Sequence, residues 1–433
     1  MAETLILGAG LTGLSAAFHL GSGFRIVERD DRPGGFTRTE SLDGFLFDVT
    51  GHWLHLRDPS VRSLVDRLMP GAFVTIERVA RIWSNGLFTR YPFQVNTHGL
   101  PLAVVRECLL GFIEATVGGA GRARREEEPA TFEDYILRHL GAGIARHFMV
   151  PYNTKLFTVH PRGLTAAWCG RFVPRPSLAE VVDGALGAGT GSAGYNATFL
   201  YPREGGIEAL PRAFAAALEG PVDCGVHPVS IDWKARRASL SDGRTLDWGG
   251  LLSSIGLPEL VQLLARGGNV PAGVLEASAR LRGTTVTYVN VAAKGKGLGY
   301  HWVYFPGDEV PFYRAGSASA AHPPLAPAGC QSFYVEFASR DGVDHAWAER
   351  EAVEGLVRCG MLERREDLLF AKARDVRNAY VLYDSDYGAA RDEVMAFLAH
   401  AGIVAAGRYG RWEYSSMEDA ILQGREAAAR LRR

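Results

Sequence analysis

The residues best suited to chemistry in this 433-residue chain are arginines and tyrosines set near glycine-rich turns, with no obvious nucleophile and no paired-carboxylate motif beside them. The first such turn is Gly8-Ala9-Gly10-Leu11-Thr12-Gly13. Gly8 permits a tight bend, Gly10 lets a pyrophosphate approach the backbone, and Gly13 allows a following helix to pack closely. That helix would present its free amides and the positive end of its dipole to the phosphates. Glu28 stands 20 residues after Gly8, where a carboxylate can accept hydrogen bonds from both ribose hydroxyls, with Arg29 beside it. A lone GxGxxG is a weak signal, but strand, glycines, helix, strand and acid in register indicate a dinucleotide site.

By charge and position alone, neither Arg171 nor Arg314 is marked out for a second anion. The 47 basic and 48 acidic residues nearly cancel, so no global field gathers nucleic acid or an anionic membrane, and an anion must be met by a local cluster. Guanidiniums answer a pyrophosphate with bidentate, charge-assisted hydrogen bonds. Taken singly, each arginine is a surface ion-pair partner, and Tyr91 and Tyr304 are half-buried packing. Asn153 and Asn196 serve equally as turn formers. His52, after a glycine, is by itself a structural histidine.

Short elements must position these groups. Thr4 to Leu7 reads as a buried strand, Leu14 to Leu20 as a helix and Phe24 to Glu28 as a second strand, which is βαβ order. Helical patterns follow at 59–69, near 101–117 and 132–148, and at 207–218, with Arg122 to Glu128 as a solvated linker. The apolar run 250–255 returns to the first sheet. Residues 284–339 alternate apolar and polar as an antiparallel sheet does, interrupted by a Pro/Ala-rich loop at 317–329. The last unit is a strand at 402–406, a glycine turn and a helix at 417–432. The expected fold is α/β: a Rossmann-like domain from 1–90, 200–280 and 395–433, a mainly helical substrate or lid domain at 91–199, and an antiparallel β-sheet domain at 281–394. Five dispersed cysteines argue against disulfides or a metal site, and a start running straight into a strand argues for the cytoplasm without a membrane span. The state of assembly is open, a homo-oligomer included.

Arg32-Pro-Gly-Gly35-Phe36-Thr37-Arg38 resembles the second glycine pair of the amine-oxidase-like flavoproteins, and Gly402 to Gly410, containing Gly407 and Arg408, resembles their closing motif. Both imply FAD rather than NAD. Within that group the chain resembles the UDP-galactopyranose mutase family, more closely its eukaryotic-type branch. The blocks are Phe47-Asp-Val-Thr-Gly51-His52, Tyr91-Pro-Phe-Gln94, Pro151-Tyr-Asn153-Thr-Lys-Leu-Phe157, Trp168-Cys-Gly-Arg171, Tyr195-Asn196, His301-Trp302-Val-Tyr304 and Pro311-Phe-Tyr313-Arg314. Tyr380 and Tyr414 match tyrosines that touch the diphosphate.

The resemblance implies a flavin isomerase for nucleotide sugars, interconverting pyranose and furanose forms of a UDP-galactose-like substrate through a reduced-flavin N5–sugar adduct. NADPH or NADH would reduce the flavin. Arg171, Arg314 and His52 are the implied catalytic set, with His52 placing the flavin through its backbone. Tyr91, Gln94, Asn153, Phe157, Asn196, Trp302, Tyr304, Tyr380 and Tyr414 would line the substrate site. Gly8 to Gly13, Glu28, Arg29, Gly35 to Arg38, Gly51, His52, Val229, Gly407, Arg408, Tyr414 and Met417 would hold FAD. Phe157 replaces a usual Trp, His55 a usual Phe, and Ser415-Ser-Met-Glu-Asp419 a usual polar run, so the sugar and nucleotide stay open. The alternatives are an amine oxidase or desaturase on the same FAD scaffold, and a flavin-binding relative without catalysis.

Overall fold

The computed structural model describes residues 3–117, 129–189 and 197–432. Among them, five parallel strands form one sheet in the order Ile403–Ala405, Gly250–Ser253, Thr4–Leu7, Phe24–Glu28, Val222–Cys224. Leu5, Ile6 and Leu7 are buried on successive sides of their strand, as a strand covered on both faces requires. The apolar run at 250–255 does return to this sheet, pairing parallel with the first strand.

The first helix starts earlier than expected, at Leu11 rather than Leu14, and runs Leu11–Leu20. Its first turn therefore contains the glycine motif. It packs against the C-terminal helix Met417–Leu431, where Ser15 donates to the Ile421 carbonyl at 2.7 Å. A β-carbon on Gly424 would come 2.5 Å from the Thr12 carbonyl, so that helix can approach only with glycine there.

A second sheet of seven strands runs Leu368–Val381, Gly283–Lys294, Cys330–Ser339, Arg314–Gly316, Trp302–Tyr304, Ala80–Ser84, Leu87–Arg90. Its pairs are antiparallel except Trp302–Tyr304 with Ala80–Ser84. Residues 80–90 therefore correct the boundary drawn at 90: their hydrogen bonds go to the second sheet, because Trp302–Tyr304 would otherwise be an open edge. The segment 317–329 also differs from a plain loop, containing the short helix Ala318–Ala321 capped by Ser317.

Alternation divides the second sheet. Val303, Ala315, Val335, Val289 and Phe337 face a core completed by the His345–Arg358 helix. Trp302, Tyr304, Arg314, Tyr334 and Glu336, two apart along their strands, share the other face. Above that face lie Leu102–Thr116, Phe132–Ile144, Val150–Phe157, Cys169–Phe172 and Leu178–Leu186, all helices within the 91–199 span. The linker at 122–128, Asn196 and the Arg171 side chain lie outside the described residues. Among the described residues, no helix is long and apolar enough to cross a membrane, and no group of three or more His, Cys, Asp or Glu could hold a metal ion.

Candidate active site

The glycine turn has the shape a dinucleotide requires. Gly8 has φ +96°, and its N–H donates to the Val27 carbonyl at 2.9 Å. A β-carbon on Gly13 would overlap the Gly8 carbonyl, whereas one on Gly10 meets nothing within 4 Å. Gly13 thus serves packing, and Gly10 leaves a cradle open at the helix N-terminus, which fits a pyrophosphate. Glu28, 8% exposed, accepts from the Ala9 N–H at 2.7 Å and the Asp30 N–H at 3.0 Å. The carboxylate thus shapes the turn itself.

The other cofactor candidates gather around this cradle. Gly34 donates to the Ala9 carbonyl, and Thr37 Oγ1 returns to the Gly34 carbonyl at 2.6 Å. Arg38 is no free surface residue: it donates to the Gly35 carbonyl at 2.7 Å and pairs with Asp30 at 2.5 Å. A side chain on Gly407 would meet Thr12, and Phe36 packs on Tyr409 at 5.4 Å, so the closing motif lies against both glycine turns. Arg29 is exposed and 3.6 Å from Glu259. Val229 is 39% exposed on Pro228–Asp232, whose approach is tied to the Glu28 carbonyl by Val226. Met417 opens a helix capped by Ser416 and Asp419, which gives the divergent Ser415 to Asp419 run a clear local role.

From Arg408 a wall of rings leads to the second sheet. The Arg408 guanidinium lies 4.5 Å from the Tyr414 ring centroid and 5.5 Å from that of Tyr380, donating to the Ala379 and Ser415 carbonyls. Tyr380 and Tyr414 are stacked at 6.2 Å, Phe157 meets Tyr380 edge-on at 6.2 Å, and Tyr313 meets it at 6.5 Å. Arg314 comes next. It sits directly opposite Glu336 across the strand pair, donating to both carboxylate oxygens, one at 2.8 Å. Glu336 is fully buried, and the Arg314 side chain is 21% exposed. Burial works against the Arg314 charge, but Glu336, Tyr380 and Tyr313 outweigh it and raise its pKa.

Beyond Arg314, Tyr334 fills the space over Gly51 and Gly316, where any side chain would collide with its ring. His52 lies close to both Arg408 and Arg314. Burial takes its pKa down to about 4, a bond with the Val49 backbone acts the other way, and the two arginines lower it further, so the ring is neutral at pH 7. The far end of the wall has Trp53 stacked on Trp302 at 6.1 Å and Tyr91 against Tyr304 at 4.8 Å. Burial and Tyr304 push the Tyr91 phenol up to about 12.

Asn153 spends its Nδ2 on the Met149 carbonyl at 2.6 Å, a bond inside its own helix. Gln94 is buried in Phe93–Val95. Buried polar atoms without a partner among the described residues include His52 Nδ1, Tyr313 OH, Ser415 Oγ, Trp168 Nε1 and Trp302 Nε1. Such atoms also occur away from the wall, Trp248 Nε1 and Ser278 Oγ among them, and those on the wall are positioned to bond a polar ligand in front of it.

Three participants escaped the sequence reading. Glu336 had a signal: an acid inside the apolar alternation Phe333-Tyr-Val-Glu336-Phe must face a cation. Trp53 signalled only its proximity to His52. Arg78 had none; its guanidinium lies 4.5 Å from the Tyr91 ring, across the hairpin at 80–90, and 5.0 Å from Trp302, where two distant strands pair.

A Rossmann-type nucleotide cradle opening onto a cation-bearing aromatic wall defines a flavoenzyme, and the chain belongs to the flavin-containing amine oxidoreductase family, whose profile matches residues 11–432. Within that class it is similar to reduced UDP-galactopyranose mutase, 25% identical over 99% of this chain and 93% of that one, with a TM-score of 0.91. The mutase resemblance carried by the motifs thus extends to the whole fold. A protein assigned as a protoporphyrinogen oxidase from Exiguobacterium sp. 255-15 has 15% identity, 100% and 99% coverage and a TM-score of 0.77. Wild-type putrescine oxidase bound to putrescine has 15% identity, 99% and 98% coverage and a TM-score of 0.66. These last two share the fold alone.

Proposed function

We propose that this protein is an FAD-dependent nucleotide-sugar mutase that interconverts the pyranose and furanose forms of an NDP-sugar of the UDP-galactose kind. The observation that carries this reading is Arg314, a guanidinium set among Tyr313, Tyr380 and the buried Glu336 on the wall that continues from the flavin cradle. An oxidase acting on an amine has no anionic leaving group for that guanidinium to hold.

When bound in its reduced form, the flavin supplies a nucleophilic N5 for the anomeric carbon. The chain's own residues then have separable tasks. Arg314 and Arg171 hold the diphosphate through its departure and return, with Tyr380 and Tyr414 donating phenolic hydrogen bonds. Glu336 keeps the Arg314 fork in one plane, so little reorganisation accompanies the change in substrate charge. Neutral His52 adds no positive charge beside the anomeric centre. Tyr91, Gln94 and Tyr304 receive the base, Arg78 stiffens their rings, and Asn153, Phe157 and Trp302 border the sugar. Residues from Gly8 to Gly13, with Glu28, hold the ADP half of FAD, and Gly51, Arg38 and Arg408 flank the flavin half.

Anaerobic incubation with dithionite or NADPH and UDP-galactose tests this. Furanose product with no net flavin oxidation is the expected result. Bleaching of oxidised flavin by a substrate amine, with no furanose from UDP-, GDP- or TDP-sugars, would establish the oxidase instead.

A further inference from the structure

Lys155 lies in the Val150–Phe157 helix, between Asn153 and Phe157, yet it points away from both into the loop that precedes Arg314. Its Nζ donates towards four backbone carbonyls: Gly307, Val310 at 2.7 Å, and Phe305 and Phe312 at 3.4 Å. An ammonium has three protons, so four oxygens around it form a cage that recognises a compact cation more than particular directions. The loop has little else to satisfy these carbonyls. Pro306 and Pro311 lack N–H groups, and the strand ladder reaches the loop only at its ends, where Phe305 donates to Tyr313 and Tyr313 to Glu336. Arg358, from the His345–Arg358 helix, takes the Glu309 carbonyl. Burial lowers the Lys155 pKa to about 8 against the pull of Asp308 and Glu309, which marks the cage as poorly hydrated.

We infer that Lys155 is a positioning residue: it fixes the 305–312 loop and thereby sets Tyr313 and Arg314 for the diphosphate, and its carbonyl cage will accept NH4+ or K+ when the side chain is cut back. The first half rests on the nucleotide-sugar reading; the second does not. Rings of backbone carbonyls replace the hydration shell of K+, and an ammonium ion is close to K+ in size.

Two variants separate the ideas. Lys155→Ala empties the cage, whereas Lys155→Met removes the charge and keeps it filled. UDP is the probe, titrated into the FAD-loaded protein with Na+, K+, NH4+ or tetramethylammonium as the only added cation. Both variants are expected to bind UDP at least about tenfold more weakly in Na+. K+ and NH4+ should restore UDP binding and the thermal midpoint of Lys155→Ala, but not of Lys155→Met, and tetramethylammonium should restore neither. Wild-type UDP affinity in a Lys155→Met protein would overturn the positioning role, and this measurement also decides it should Lys155→Ala fail to fold. Identical responses of the Ala variant to Na+ and K+ would overturn the cage. If wild type binds no UDP, the nucleotide reading falls, and cation rescue of the Lys155→Ala midpoint still tests the cage.

Discussion

Replacing Arg314 by Ala should damage stability and nucleotide binding together, for different reasons. The substitution leaves Glu336 fully buried with its charge unanswered. Breaking a buried, bidentate pair in this way costs about 3–5 kcal/mol. Loss of a desolvated guanidinium contact to the diphosphate separately costs about 2 kcal/mol or more in UDP binding, roughly thirty-fold in Kd. The double variant Arg314→Met, Glu336→Leu separates these effects, because exchanging both members of a buried pair for apolar residues of similar volume is near neutral for stability. It should unfold in urea close to wild type yet bind UDP as weakly as the single variant. Denaturant unfolding of the FAD-bound protein and calorimetric titration with UDP read the two quantities. A single variant within about 1 kcal/mol of wild type would refute the buried-pair reasoning. A double variant that regains UDP affinity with its stability would show that Arg314 only neutralises Glu336.

Gly10→Val should fold with a near-normal thermal midpoint but lose FAD, because its β-carbon enters open cradle space, while Gly13→Val should fail to fold, because its β-carbon overlaps the Gly8 carbonyl; flavin absorbance and circular dichroism distinguish them. Arg171→Ala should weaken UDP binding by about 2 kcal/mol with FAD retained, and unchanged UDP affinity would remove Arg171 from the clamp. Acidification should destabilise the protein between pH 6.5 and 4: His52, His55 and His301 are held near 4 by burial, so the unfolded chain takes up their protons first. Asp48, raised to about 6 by burial, opposes this by protonating earlier in the native state. With His19 also lowered by burial, the histidines outnumber Asp48 and leave a net loss of about 1.4 kcal/mol per pH unit for each net proton, and urea midpoints that rise towards pH 4 would contradict it.

Much of the cofactor half was legible along the chain, because it depends on neighbours in sequence. The Gly8 to Gly13 turn, its helix, the strand ending at Glu28 and the apolar run at 250–255 are local patterns whose geometry admits few alternatives. The aromatic half was legible only as motifs in order. Alternation could assign Tyr334 and Glu336 to one face, but not the strand facing them. Cross-strand register placed Arg314 opposite Glu336, and a parallel pairing between segments more than two hundred residues apart brought Arg78 to Trp302, while the hairpin that returns at residues 80–90 brought it to Tyr91. That parallel pairing also moved residues 80–90 into the second sheet, and the packing of the Val150–Phe157 helix on the sheet set Lys155 inside the 305–312 loop. By itself the sequence determined the local turns and strands and named candidates to meet phosphate, ring and flavin. Tertiary structure decided which charges were already answered, because a buried carboxylate or carbonyl cage reaches its cation through space and leaves no spacing in the chain.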